Sequence, residues 1–310
     1  MTLTQLSAFV LVARLGSVRA AANALDVSEP AVSQALSALR HQFDDPLIER
    51  VGGGMSLTPG GQRLLPIASQ MVALGADADA AVRAGRGAAT QLRVIGTSTL
   101  VEFVLPSLVD AFAERAQARI DTSFGVAGEA EMPVLLANRM ADLAIGPDLS
   151  GNRTAELFSE PVCRARMVLV GPPALGPDRT LLVDSSGTEQ TSSTRRLLRA
   201  LRVAEERVRV FPNQTAAWSA AASGAGLAPA VEHLVAGRVR RGELRVIPTP
   251  VTPMEASWHA STLQPERRSA AADAFLHFLH TAPAMRLMRE PGAGVRPSRF
   301  RPPVYVTIWS

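Results

Sequence analysis

The first 43 residues admit few folds, because their apolar positions recur at helical spacing in three runs separated by serine-led turns. Leu3, Leu6, Phe9, Val10 and Ala13 stand three and four apart and define one buried face of a first helix. Ser17 is placed to cap a second helix over residues 18–25, where Ala21, Ala22 and Ala24 are small enough for another helix to cross closely. Ser28 is placed to cap a third, with Pro30 in its first turn, where a missing N–H costs nothing. In that third helix Val32, Leu36, Leu39 and Phe43 are expected to face the core, leaving Glu29, Ser33, Gln34 and Ser37 on an exposed polar face. These proportions suit a helix-turn-helix whose second helix enters the major groove, although a plain three-helix bundle has the same spacing. The next segment favours the first reading: residues 47–50, Gly52-Gly53-Gly54 and residues 55–58 read as two short strands about a glycine turn, a wing. A phosphate cradle would need the lysine and helix cap that these glycines lack.

At 310 residues the chain exceeds what one ordinary core needs. Its 47% hydrophobic and 19% charged residues make a globular composition, and no stretch approaches the roughly 20 apolar residues of a membrane span. The start has neither the basic region nor the cleavage site of a signal peptide, so a cytoplasmic location is expected and no membrane partner. The lone Cys163 agrees with a reducing compartment. All 32 basic residues are arginine, which excludes Schiff-base and P-loop lysine chemistry. The net charge of +4 is matched by residues 286–310 alone, with five arginines against one glutamate. Residues 1–60 hold four arginines against five carboxylates, so bulk charge does not mark a nucleic-acid surface and pattern must.

That pattern resembles the DNA-binding domain of the LysR-type transcriptional regulators over residues 1–65. Phe9, Gly16-Ser17, Ala21-Ala22, Leu25, Val27-Ser28, Pro30-Ala31-Val32-Ser33, Leu36, Leu39, Leu47, Glu49-Arg50 and Leu57-Thr58-Pro59-Gly60-Gly61 occur in the order of the family. The resemblance implies a winged helix-turn-helix on a double-stranded DNA operator. It places base-edge contacts at Glu29, Pro30, Ser33 and Gln34, phosphate contacts at Ser37, Arg50 and Thr58, and Ser28 at the edge of the same surface. Two departures matter. Family members commonly carry glutamine where this chain has Glu29, and a carboxylate accepts from cytosine N4 but repels phosphate, so the half-site preference is expected to differ. Arg40 stands where glutamate is usual, which removes or reverses a carboxylate pairing.

From Thr58, with Pro59 at the first helical position, one long linker helix is expected over residues 58–88, ended by Gly85 and Gly87. Leu64, Ala68, Met71, Gly75, Ala78 and Val82 alternate spacings of four and three, the seam of a coiled coil, which predicts dimerisation through this helix. Packing against the chain's own sensor domain is the alternative. A dimer sets two recognition helices one or more DNA turns apart, so the operator is expected to be an interrupted inverted repeat. A tetramer stays open, and RNA polymerase is a further partner of a regulator of this type.

Residues 91–285 alternate strand-like and helix-like segments: a strand over 92–95, a helix over 101–115, and similar units at 135–146, 167–171 and 216–227. Residues 135–145 resemble the Asp-Leu-Ala-Ile signature of the same family's regulatory domain, with Asn138 or Arg139 where glycine is usual. The resemblance implies two α/β lobes like a periplasmic binding protein, residues 91–161 with 256–285 and residues 162–255, and a small-molecule effector between them. The expected fold class is therefore mixed: an all-α winged helix-turn-helix over residues 1–60 with a linker helix, then a two-lobed α/β effector domain. Thr97, Ser98 and Thr99 on one lobe, and Ser193 and Thr194 on the other, put hydroxyls at helix starts, where the dipole favours an anion. Ordinary capping is the competing explanation for each. Gln214 adds a third polar edge, whereas Gly125-Val126-Ala127-Gly128 is apolar, so an anionic or polar organic effector with a hydrophobic part is expected.

No enzyme, cofactor or metal is expected. The five histidines lack metal-ligand spacing apart from His277 and His280, and no Gly-x-Ser-x-Gly elbow places a nucleophile. Cys163, in an apolar run, reads as a buried small hydrophobe rather than a redox sensor. The sensor half alone would also suit a solute-binding or ligand-sensing module without operator function, which the winged helix opposes. Residues 286–310, rich in proline and glycine, form a basic tail too broken for regular structure until residues 304–309.

Overall fold

The computed structural model of the chain describes residues 1–51, 54–116, 120–151, 157–174, 180–184, 187, 189 and 192–290, with the side chains at 50, 51, 54 and 84 outside that set. Its first helices are delimited by caps. Thr2 opens α1 (Leu3–Leu15) with a capping box, its hydroxyl accepting from the Gln5 amide while the Gln5 side chain accepts from the Thr2 amide. Gly16 ends it at φ 66°, the left-handed conformation that glycine adopts without a Cβ penalty. Ser17 and Ser28 cap α2 (Val18–Leu25) and α3 (Glu29–Phe43), as the sequence predicts. Phe9, Val10, Ala21, Val32 and Leu39 close the shared core. Phe43 departs from expectation: α3 stops at Asp44, φ 50°, before its last turn reaches the core, and the ring is 41% exposed. β1 (Ile48–Val51) and β2 (Gly54–Leu57) pair antiparallel as the wing. The turn glycines Gly52 and Gly53 lie outside the described residues.

One helix, α4 (Pro59–Gly85), follows. The seam expected along Leu64, Ala68, Met71, Gly75, Ala78 and Val82 does not form a single outer surface. Ala68 is fully buried, Leu64 and Met71 pack on the amino-terminal core, and a Cβ on Gly75 would meet Leu3 Cδ1 at 2.6 Å. These small residues let α4 lie directly on α1 of the same chain. Val82 of the seam stands outside together with Ile67 and Leu74, which are not part of it, at 56%, 55% and 67% exposed. No helix among the described residues is long and apolar enough to cross a membrane.

The α/β part is built on one sheet. β4 (Ile120–Val126), β3 (Thr90–Gly96) and β5 (Leu143–Gly146) are parallel neighbours. Two long strands, β6 (Leu157–Gly171) and β11 (Met254–Leu263), then run antiparallel side by side, with a register shift between Trp258 and His259. The far part of β6 is flanked by β9 (Ala228–Val231) and β10 (Arg245–Ile247), while β7 (Leu181–Val183) and β8 (Val208–Val210) pair separately. The lobe crossings expected near 161 and 255 thus fall in two paired strands shared by both halves. The first half is covered by α5 (Ser98–Phe103), α6 (Leu105–Arg115), α7 (Met132–Ala137), α11 (Ala270–Leu279) and α12 (Ala282–Arg289). The second carries α8 (Ser193–Ala200), α9 (Gln214–Ala222) and α10 (Glu232–Arg240).

Two expectations change, and the structure decides between the alternatives of a third. The helix expected over 101–115 is two helices, because Pro106 has no N–H for the carbonyl of Glu102 and the chain breaks at Val104, φ −123°. Helical structure continues through α12 to Arg289 and buries Ala284 and Met288, so the start of the tail moves past 286. Residues 291–310 lie outside the described residues. In the signature segment, the position calling for glycine is Arg139, whose φ is 54°. Its guanidinium meets Asp77 of α4 at 2.7 Å and donates to the Arg267 carbonyl at 2.8 Å, tying the linker helix to the first lobe.

Candidate nucleic-acid interface and interlobe cleft

On α3, Val32, Leu36 and Leu39 point into the core, and this orientation leaves Glu29, Pro30, Ser33, Gln34 and Ser37 exposed. Ser28 is exposed beside them and accepts from the Ala31 amide at 3.4 Å. The wing is fixed to the same helix: Arg40 donates to the carbonyls of Pro46 at 2.9 Å and Ile48 at 3.2 Å. The arginine found where glutamate was the family expectation therefore serves as a clamp between α3 and β1. Thr58 is different from its expected role. It is 7% exposed, and its hydroxyl donates to Asp45 at 2.7 Å and accepts from the Gly61 amide at 2.9 Å. That hydroxyl is committed to closing the start of α4 rather than being offered to a phosphate. The same bond from Thr58, with the Leu47 amide, holds the Asp45 carboxyl below its ordinary range. The Arg50 side chain lies outside the described residues.

In the effector half, Thr97 precedes α5 without a side-chain cap, and Ser98 and Thr99 are half-buried in its first turn. Ser192 caps α8, with Ser193 half-buried and Thr194 buried behind it. Asn213 caps α9 through the Ala216 amide. Gln214 is buried and its side-chain amide donates to the Pro229 carbonyl at 2.8 Å, so its backbone N–H, not its side chain, serves the space between the lobes.

That space is furnished with carboxylates the sequence reading passed over. Ser98 donates to Asp184 at 2.5 Å. Glu102 accepts from the backbone amides of Gln214 and Thr215, each at 3.2 Å. Glu189 accepts from the Glu129 amide at 2.9 Å. Glu102 follows Ser98 by one helical turn and shares its face, which is the one local signal that pointed to it. Burial raises the Glu102 carboxyl above its ordinary range. Of the donors expected to wait for an anion, the Ser98 hydroxyl and the Gln214 backbone amide are already engaged with the chain's own acids.

Burial, with the negative charges of Glu129, Glu131 and Asp184 nearby, pushes Glu189 up to about 7. The folded chain therefore favours the neutral acid. Its contribution to stability is fully present below the unfolded value of about 4.5 and is lost as pH rises through about 7. Glu189→Gln keeps a neutral acceptor at the same place. Thermal unfolding followed between about pH 5 and pH 8 should fall more steeply for the wild-type chain, with the variant the more stable at the upper end. Parallel curves would remove Glu189 from the pH response.

Cys163 is buried in β6, and burial raises its thiol pKa, which lowers the thiolate fraction that oxidants attack.

Comparison with known proteins agrees with this architecture. The family model described as bacterial regulatory helix-turn-helix protein, lysR family, matches residues 3–62, and that described as LysR substrate binding domain matches residues 85–284. An uncharacterized HTH-type transcriptional regulator of Mycobacterium tuberculosis is 31% identical, with 100% of both chains covered. The HTH-type transcriptional regulator CfxR of Cupriavidus necator is 28% identical, covering 96% of this chain and 97% of its own. Among solved structures, ArgP from Mycobacterium tuberculosis superposes with a TM-score of 0.53 at 19% identity, covering 89% of this chain and 94% of its own, a likeness of fold. With both domain models matched in order and relatives aligned end to end, the chain belongs to the LysR family of DNA-binding transcription regulators with an effector-binding domain.

Proposed function

We propose that the exposed side of α3 reads the operator, with Glu29, Pro30, Ser33 and Gln34 at base edges and Ser28, Ser37 and Arg50 on phosphates. The observation that carries this reading is the division of α3 into a fully apolar inner side and a short-side-chained polar outer side, clamped beside the wing by Arg40. A helix presenting small polar groups lies deep enough in the major groove for its side chains to reach bases. Thr58 is left out of this surface because its hydroxyl is spent inside the fold. Ile67, Leu74 and Val82, roughly on one side of α4, provide the apolar stripe for a second copy, and a dimer so formed requires an interrupted inverted repeat. A tetramer would pair two such dimers.

The effector enters between the lobes, where Thr97, Ser98, Thr99, Ser193, Thr194 and the Gln214 amide border the cleft. Lobe closure then changes the spacing of the recognition helices and the occupancy of a promoter, with RNA polymerase as the machinery affected. The role is regulatory rather than catalytic, and its place is the cytoplasm, where the operator is. Selection of bound fragments from genomic DNA, followed by gel shift, tests the reading. An interrupted inverted repeat is expected, and Ser33→Ala and Gln34→Ala should each weaken binding to it by roughly ten- to a hundredfold while sparing nonspecific binding. Equal loss on operator and random DNA would place these residues outside base readout.

A further inference from the structure

At Ser98, Glu102 and Glu129, among the described residues, a carboxylate of one lobe meets a donor of the other. The most fully engaged is Glu102 of α5, whose two oxygens separately take the amides of Gln214 and Thr215, the first two residues of α9. These are N–H groups with no partner inside their own helix, and the helix dipole there favours a negative charge. The geometry points to Glu102 as a built-in carboxylate that occupies the start of α9 and latches the lobes together before any effector arrives.

The surroundings hold this latch in place. One turn before Glu102, Ser98 is bonded to Asp184 at the end of β7. Immediately after it, the Phe103 ring stacks on Trp218 of α9, centroids 5.1 Å apart. Helix α5 is thereby fixed to the second lobe by two polar contacts and an aromatic one. Gln214 cannot turn away, because its side chain is bound to the Pro229 carbonyl. An effector carboxylate directed at these amides must displace Glu102, whereas one binding elsewhere in the cleft leaves the latch shut. The inference deepens the effector-cleft reading and rests on it: the latch matters for regulation only if movement of the lobes does.

Hydrogen exchange on the full-length chain tests it, with sodium acetate as the probe and sodium chloride at equal ionic strength as the control. In Glu102→Ala the amides at the start of α9 should exchange roughly tenfold faster than in the wild-type chain. Acetate should restore their protection in that variant and leave the wild-type chain unchanged. Glu102→Gln, which keeps the packing and one neutral acceptor, should show a smaller increase and no response to acetate; it stands in if the alanine variant does not fold. Unchanged exchange in the substituted chain overturns the latch, and so does acetate protection of these amides that is no greater in Glu102→Ala than in the wild-type chain. Operator gel shifts on the same samples separate the two ideas. Faster exchange with altered operator binding supports both, and faster exchange with unaltered binding supports the latch while counting against the cleft as the regulatory site.

Discussion

Replacing Phe9 by alanine should cost the amino-terminal domain about 3–5 kcal/mol and abolish operator binding while leaving the effector domain folded. Phe9 is fully buried and sits where α1 meets α2, α3 and α4, in the cluster that contains Leu6, Val32, Leu39 and Ala68. Removing the ring deletes its burial and leaves a void that the surrounding helices close only in part. A unit spanning residues 3–62 has a total stability on the order of 5 kcal/mol, so a loss of this size empties the folded state. The effector domain has further cores of its own, Phe112, Phe275 and Leu279 in one lobe and Trp218 and Val235 in the other, although Met132, Leu135 and Leu136 of its first lobe share the cluster of Phe9. Calorimetry should therefore show the early transition lost and the later one kept. A variant that binds the operator normally and loses under about 1 kcal/mol would mean that Phe9 is not the keystone of this core.

The amino-terminal domain was legible because its information is local. Serine caps, a proline in a first turn and apolar spacings within single helices decide α1 to α3, and no distant residue is needed to read them. Where the reading went astray, a neighbour decided the outcome. The seam on α4 has the same four-three spacing whether its partner is a second copy or α1. Only the approach of Leu3 to Gly75 shows that α1 takes its middle, while Ala78 and Val82 stay exposed. Phe43 fits the periodicity of α3 but sits where Asp44 ends the helix. In the cleft, Ser98, Glu102 and Glu129 meet partners 60 to 113 residues away, so no window of sequence contains both halves of a contact. The Ser98 hydroxyl is visible in the sequence as a donor at a helix start, but Asp184, the acid that engages it, is not visible as its acceptor.

Trp218→Ala is the second substitution with a large expected cost, about 3–5 kcal/mol in the second lobe, and its comparison with Trp218→Phe separates packing from hydrogen bonding. Trp218 is 1% exposed, its indole N–H donates to the Pro229 carbonyl at 3.1 Å, and its ring stacks on Phe103 across the lobes. Phenylalanine retains a ring against Phe103 and loses the donor. The Pro229 carbonyl then still receives the Gln214 side chain, so it is not left buried and unpaired, which is the costly outcome of deleting a donor. The phenylalanine variant should accordingly lose only about 1–2 kcal/mol, from the smaller ring and one hydrogen bond. Denaturant unfolding of the two variants decides it. Equal losses would assign the site's stability to the hydrogen bond rather than the stack. The expected inequality would assign it to the buried ring, whose stack on Phe103 joins α5 to α9 next to Glu102.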